Sequence, residues 1–305
     1  MKKYIKIMRI DHWIKQLFIA PGVVSALLLT NGSMNILNLI LGFLSTCLIA
    51  SANYVINEYL DAEFDKFHPT KKHRSVVEND VKGVIVFLMW LCLTCAGVVL
   101  GCCVNIPFVV TALFLWFMGI LYNVKPIRTK DIPFLDVLSE SINNAIRLML
   151  GWFIVSETTF APSSILLGYW MGGAFLMATK RYAEYKMINN PELAGKYRKS
   201  FKKYTEHSLL LSAFFYAMCS VFFIGIFLIK YRIELLLFIP MLIGLFCYYF
   251  YISFKEDSAV QKPEKLYREK GLMIYVLVLC VAFTILMLVD MPWLQIFTTS
   301  TMIKF

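Results

Sequence analysis

ILNLILGFLSTCLIASANYVINEYLDAEFDKFHPTKKHRS, residues 36–75, changes character once, near residue 57. Its first half is an apolar run of the length that crosses a bilayer as a helix, roughly 20 residues. Its second half is crowded with acids and bases. Asn53, Asn57, Asp61 and Asp65 recur every four residues, so a helix continuing out of the membrane carries them along one slowly turning face. Two carboxylates one turn apart, with a side-chain amide on the turn before, suit a divalent cation bound through oxygen. Mg²⁺ commonly takes one or two carboxylates and completes its shell with water and substrate phosphate. Lys71, Lys72 and Arg74 follow as candidate phosphate ligands, Arg74 with bidentate capacity. The bland alternative is a solvated loop whose lysines orient the chain.

The whole chain supports a membrane setting. Of its 305 residues 59% are hydrophobic and only 16% charged, against roughly a quarter charged in soluble proteins. The chain reads as a single integral membrane domain, residues 1–305, all-α and polytopic. Nine apolar spans are expected, near residues 17–31, 36–56, 84–102, 106–122, 134–155, 163–179, 208–229, 234–252 and 271–289. Pro21 and Gly22 interrupt the first. Its basic, amphipathic approach, MKKYIKIMRIDHWIK, reads as part of the mature fold. With these spans, 26 of the 30 lysines and arginines fall on one side, in the N-terminal segment and the loops after spans two, four, six and eight. Lys230, Arg232 and Lys304 fall on the other, and Arg147 within span five. By the positive-inside rule the N-terminus and the basic loops are cytoplasmic and the C-terminus lies outside. The net charge of +10 is then explained by orientation and anionic lipid, with no nucleic-acid partner implied. All eight cysteines lie in or beside apolar spans and read as small hydrophobes; Cys92 and Cys95 have CxxC spacing but no second pair.

Span five carries a second signal. Asp136, Glu140, Asn143 and Arg147 fall within about 60° of arc on a helix whose other faces are apolar. Ionisable groups within a membrane helix face a bundle interior or a wet cavity and mark function; the competing reading is a buried bridge from Arg147 to Glu140 or Asp136. Just upstream, YNVKPIRTKDIP supplies Lys125, Arg128, Lys130 and Asp131. A third cluster ends span six: Lys180, Arg181, Glu184 and Tyr185, where Lys180 and Glu184 form either a surface pair or part of an anion-binding lid. His68, His73 and His207 lack metal-ligand spacing with one another. Carboxylate-held Mg²⁺ with clamping Lys and Arg suits a displacement in which diphosphate leaves.

This pattern resembles the UbiA superfamily of intramembrane prenyltransferases, whose Asp-rich motifs match Asn57 to Asp65 (NxxxDxxxD) and Tyr122 through Asp136. Several stretches are similar to its polyprenyl-phosphate phosphoribosyltransferase branch: RIDHWIKQLFIAP, HPTK, Asp136 eleven residues before Arg147, KRYAEY, RKSFKKYT and KPEKLYREK. The resemblance implies nine helices around a central cavity. It implies Mg²⁺ and donor diphosphate at Asn57, Asp61 and Asp65, with Asp61, Asp65 and Asp136 as catalytic carboxylates. Lys71, Arg74, Lys125, Arg128, Arg147, Lys180 and Arg181 would position phosphate or ribose. The implied reaction moves 5-phosphoribose from phosphoribosyl pyrophosphate to a polyprenyl phosphate at the plasma membrane. PIRTKDIPFLD is closer to the general prenyltransferase form, which keeps prenyl diphosphate open as the donor. A transporter is the reading from a different class, disfavoured because the carboxylates cluster at helix ends and no repeat is evident.

Overall fold

The structure, a computed structural model, describes residues 2–30, 32–68, 71–79, 81–255, 258–261, 266 and 268–297. Pro69 and Thr70 of HPTK, most of KPEKLYREK, and Lys304 lie outside the described residues. The described elements are helical: α1 Lys2–Ile7, α2 Ala20–Leu29, α3 Ile36–Asp65, α4 Ser75–Glu78, α5 Gly83–Cys102, α6 Ile106–Asn123, α7 Leu135–Val155, α8 Ser163–Ile188, α9 Pro191–Tyr197, α10 Glu206–Tyr231, α11 Phe238–Ser253 and α12 Lys270–Leu288. Tighter 3₁₀ turns join them, notably Ile10–Ile19, Thr129–Asp131, Lys199–Lys202 and Ile233–Leu237.

The expected nine apolar spans become seven among the described residues, Lys3–Leu29, Ile36–Asp65, Gly83–Cys102, Ile106–Asn123, Glu206–Tyr231, Ile233–Ser253 and Lys270–Leu288. The other two expected spans exist as α7 and α8, 21 and 26 residues long. Polar and charged side chains lower their apolarity because these helices carry the site. Pro21 does not break the first span: it sits in the first turn of α2, where a missing N–H costs nothing. Large apolar side chains such as Phe214, Phe222, Leu277 and Leu288 stand exposed, as lipid-facing positions require.

α3 decides the placement of the site. Asn35 starts it by accepting from the Leu37 and Asn38 N–H groups at 2.9 and 3.4 Å. Its 30 residues make a rod of about 45 Å, against a hydrocarbon core of about 30 Å, so its last turns stand clear of the lipid. Ser45 and Asn53 fasten it to its neighbours by donating to the carbonyls of Gly97 (2.7 Å) and Leu115 (2.9 Å).

Small residues let the inner helices meet backbone to backbone, as in other membrane bundles. A Cβ at Gly22 would lie 1.9 Å from the Leu148 carbonyl oxygen, and one at Gly151 would lie 2.0 Å from that of Ile19. This reciprocal pair locks the N-terminal span against α7. Gly119 does the same for α6 and α3, where a Cβ would fall 2.1 Å from the Asn53 side chain. All eight cysteines are free thiols, in keeping with their reading as hydrophobes.

Candidate active site

The last turns of α3 meet the loop from α6 to α7 and the cover formed by α9 and the Lys199–Lys202 turn. Between them lies a small polar cavity of about 20 Å³ lined by Asp61, Phe64, Asp65, Arg128, Lys130, Asp131, Tyr197 and Arg198. Asp61 and Asp65 therefore face one space from successive turns, as their spacing demands. Glu58 turns away to Arg9 at 2.7 Å, and Glu63 is exposed.

Each carboxylate has a basic partner. Asp61 Oδ1 accepts from Arg128 at 3.0 Å and from the Lys130 ammonium, which also donates to Asn123 Oδ1 at 2.9 Å. Asn57 donates to that same Asn123 oxygen at 2.5 Å, so its amide braces Lys130 through Asn123. Asp65 is bound by Arg74. Among the described residues no three His, Cys, Asp or Glu side chains converge as metal ligands. The expected Asn57, Asp61 and Asp65 ligand set is thus three neighbouring groups with separate partners. The two carboxylates on one cavity wall nonetheless fit a hard cation that completes its shell with water and phosphate.

Arg181 is the hub of a second layer. It is 2% exposed and bonded to Glu140, to Glu184 at 3.1 Å, to Asp136 at 3.5 Å and to the Tyr122 hydroxyl at 3.2 Å. Glu184 reaches Lys71 at 2.8 Å, which also donates to Tyr197. The expected Lys180–Glu184 pair does not form, since both Glu184 oxygens are taken by Lys71 and Arg181. Asp136 is wholly buried: Tyr204 donates to one oxygen at 2.7 Å, and Arg198 and Ser200 to the other at 3.1 Å each. It does not line the cavity; it is ion-paired with Arg198 and Arg181 behind it. Arg181 and Lys71 likewise lie behind the cavity wall.

Three expected ligands fall elsewhere. Lys125 is exposed and outside the cavity lining. Lys180 is half-buried and absent from that lining. Arg147 pairs with neither Asp136 nor Glu140; it donates to Gln16 Oε1 at 2.8 Å and to Asn144 Oδ1 at 3.3 Å. The polar stripe of α7 thus serves two places, its first turns the ion network and its middle the N-terminal span.

Lys130 and His68, both in the loops, have lowered proton affinity. Burial pulls the Lys130 ammonium down to about 8, despite the Asp61 carboxylate beside it. Burial, reinforced by the Lys71 charge, holds the His68 imidazole near 3, so it is neutral at pH 7. Its Nδ1 accepts from the Lys71 N–H at 3.2 Å, and its ring stands edge-on to Tyr197, 4.5 Å between centroids.

Lys130 and Arg198 are cavity residues that sequence reasoning left without a role. Lys130 had a signal, its place beside Arg128 in the second cluster. Arg198 had only its presence in RKSFKKYT, within a loop equally readable as membrane-surface charge.

A charged pocket closing the end of an apolar helical bundle is the arrangement of a membrane-embedded enzyme that handles a charged group next to lipid. The model of the UbiA prenyltransferase family matches residues 18–278, and the chain belongs to that family of membrane transferases. It is 28% identical over 213 residues to decaprenyl-phosphate phosphoribosyltransferase of Corynebacterium glutamicum, covering 66% of this chain and 59% of that protein. The protein of that name from Mycolicibacterium smegmatis is 28% identical over 211 residues, covering 67% and 63%. The chain thus spans about three fifths of the length of these curated relatives. A solved structure described as a UbiA homolog from Archaeoglobus fulgidus bound to GPP and Mg2+ matches with a TM-score of 0.70 at 18% identity, covering 93% of this chain and 99% of that one.

Proposed function

We propose that this protein transfers 5-phosphoribose from phosphoribosyl pyrophosphate to a polyprenyl phosphate, releasing diphosphate at the cytoplasmic face of the plasma membrane. The observation that carries the reading is the cavity wall: Asp61 and Asp65 beside Arg128, Lys130 and Arg198, with Asp61 matched to Arg128 and Lys130 and Asp65 to Arg74 behind the wall. A diphosphate and a divalent cation together carry both signs of charge, so they insert into such a wall by exchanging partners rather than by unbalancing it.

Mg²⁺, when bound, would be held by Asp61 and Asp65 and would supply neutralisation of the negative charge that collects on departing diphosphate. The basic side chains do the rest. Arg128 and Lys130 hold phosphate oxygens from the α6–α7 loop, and Arg198 closes on them from the cover. The acceptor phosphate oxygen forms a bond to the anomeric carbon while the bond from that carbon to the diphosphate oxygen breaks, the electron pair leaving with diphosphate. Preorganised cations aimed at developing charge are the main source of rate in such sites. The kinship with the two phosphoribosyltransferases favours ribose.

Prenyl transfer from a prenyl diphosphate is the second reading, favoured by the GPP and Mg2+ named for the Archaeoglobus fulgidus structure. Diphosphate release by the purified protein separates them. Release is expected with Mg²⁺, phosphoribosyl pyrophosphate and polyprenyl phosphate together, and to stop when any one is withheld. Release from a prenyl diphosphate, with none from phosphoribosyl pyrophosphate, overturns the ribose reading.

A further inference from the structure

Arg147 differs from the bases of the ion network around the polar cavity. Lys71, Arg74, Arg128, Lys130, Arg181 and Arg198 all have carboxylates within bridging distance. Among the described residues Arg147 has none; its partners are the neutral amides of Gln16 and Asn144. It sits seven residues beyond Glu140 on α7, about 10 Å further into the bilayer at 1.5 Å per residue. A cation at such depth is costly unless something anionic or wet receives it.

Gln16 repeats the anomaly. It is fully buried, its oxygen is taken by Arg147, and among the described residues its Nε2 has no hydrogen-bond partner. An orphaned buried donor is expensive to maintain. An anionic oxygen acceptor would both neutralise the guanidinium and satisfy the orphaned N–H beside it.

The third member of the group, Asn144, is also in the wall of a second cavity. That cavity encloses about 290 Å³ and is otherwise almost wholly apolar, bounded by Phe18, Tyr169, Phe175, Tyr249 and Leu272 among others. A hydrocarbon chain fits this lining, and the Asn144 amide links it to Arg147.

We propose that Arg147, Gln16 and Asn144 form the seat for the phosphate of the lipid acceptor, with the first part of its chain in the apolar cavity. The proposal rests on the reaction given above and assigns its two anionic substrates to different places. Donor diphosphate goes to the wall of Asp61, Arg128 and Lys130, and acceptor phosphate to Arg147.

Binding to the purified full-length protein tests this, with farnesyl phosphate and farnesol as probes that differ only in the phosphate. The native protein is expected to prefer farnesyl phosphate. Arg147→Gln is expected to weaken farnesyl phosphate by about tenfold or more, the scale of one lost charged hydrogen bond, while farnesol and phosphoribosyl pyrophosphate bind as before. Arg147→Lys should recover part of the loss, and Gln16→Leu should weaken farnesyl phosphate several-fold. Unchanged farnesol binding reports an intact fold; if Arg147→Gln loses it, Arg147→Lys and Gln16→Leu decide. Equal binding of the two probes by the native protein, or equal loss of donor and farnesyl phosphate in the variants, overturns the proposal. Arg147-dependent binding of farnesyl phosphate by a protein that transfers nothing from phosphoribosyl pyrophosphate would uphold the seat and overturn the reaction. Transfer with the farnesyl phosphate KM unchanged in Arg147→Gln would do the reverse.

Discussion

At the scale of single residues, the proposed reaction assigns its chemistry to Asp61, Asp65 and Lys130, while Asp136 holds Arg198 and Arg181 from behind the cavity. Asp61→Asn and Asp65→Asn are each expected to lower diphosphate release by about 10²–10³-fold, the scale of removing one electrostatic contact from a preorganised site. Full activity in either variant would exclude a cation-holding role. Lys130 gives a pH signature. Burial places its ammonium near 8 in the free protein, so it is charged below that pH and loses its grip on diphosphate above it. kcat/KM is therefore expected to fall as pH rises through about 8, while kcat holds to higher pH because bound diphosphate favours the charged form. Arg in place of Lys130 should abolish this limb; an unchanged profile in Lys130→Arg would assign the limb elsewhere. Asp136→Ala leaves Arg198 and Arg181 short of a buried partner, at a cost of about 3–5 kcal/mol. Its melting temperature should drop, whereas Asp136→Asn, which can still accept from Tyr204 or Ser200, should lose less.

At the scale of elements, the two glycine contacts between the N-terminal span and α7 hold Gln16 against Arg147. Gly151→Ala puts a methyl group on the Ile19 carbonyl and is expected to cost about 1–3 kcal/mol by overpacking, visible as a lower melting temperature in detergent. Native stability in this variant would mean the helices are free to separate there. The periodicity of α3 was open to reading because every fourth position from Asn53 to Asp65 is polar, and the helix does run unbroken to Asp65. α7 was half legible. Its polar stripe is real, but a helical wheel reports direction and not depth, so it could not separate Asp136 and Glu140 from Arg147. The α8–α10 connection was least legible. A loop rich in Lys and Arg has the same composition whether it lies on lipid headgroups or, as here, folds back to put Arg198 on Asp136. Only tertiary placement distinguishes the two.

At the scale of the whole molecule, the fold sorts charge by depth. Among the described residues, acids and bases are paired at one end of the bundle, Arg147 stands further in without a carboxylate partner, and the second cavity is largely apolar. That order suits a reaction between a soluble, highly charged donor and an acceptor anchored in lipid. Apolar runs made the membrane fold readable in the sequence, while the proposed separation of two anion sites depends on helix packing that no spacing encodes. The most direct test supplies membranes containing the protein with Mg²⁺, polyprenyl phosphate and phosphoribosyl pyrophosphate labelled in its 5-phosphate, then extracts the lipid. Label is expected in the lipid fraction with the native protein and is expected to be absent with Asp61→Asn. Unlabelled lipid from native membranes that do transfer a labelled prenyl group from prenyl diphosphate would contradict the account.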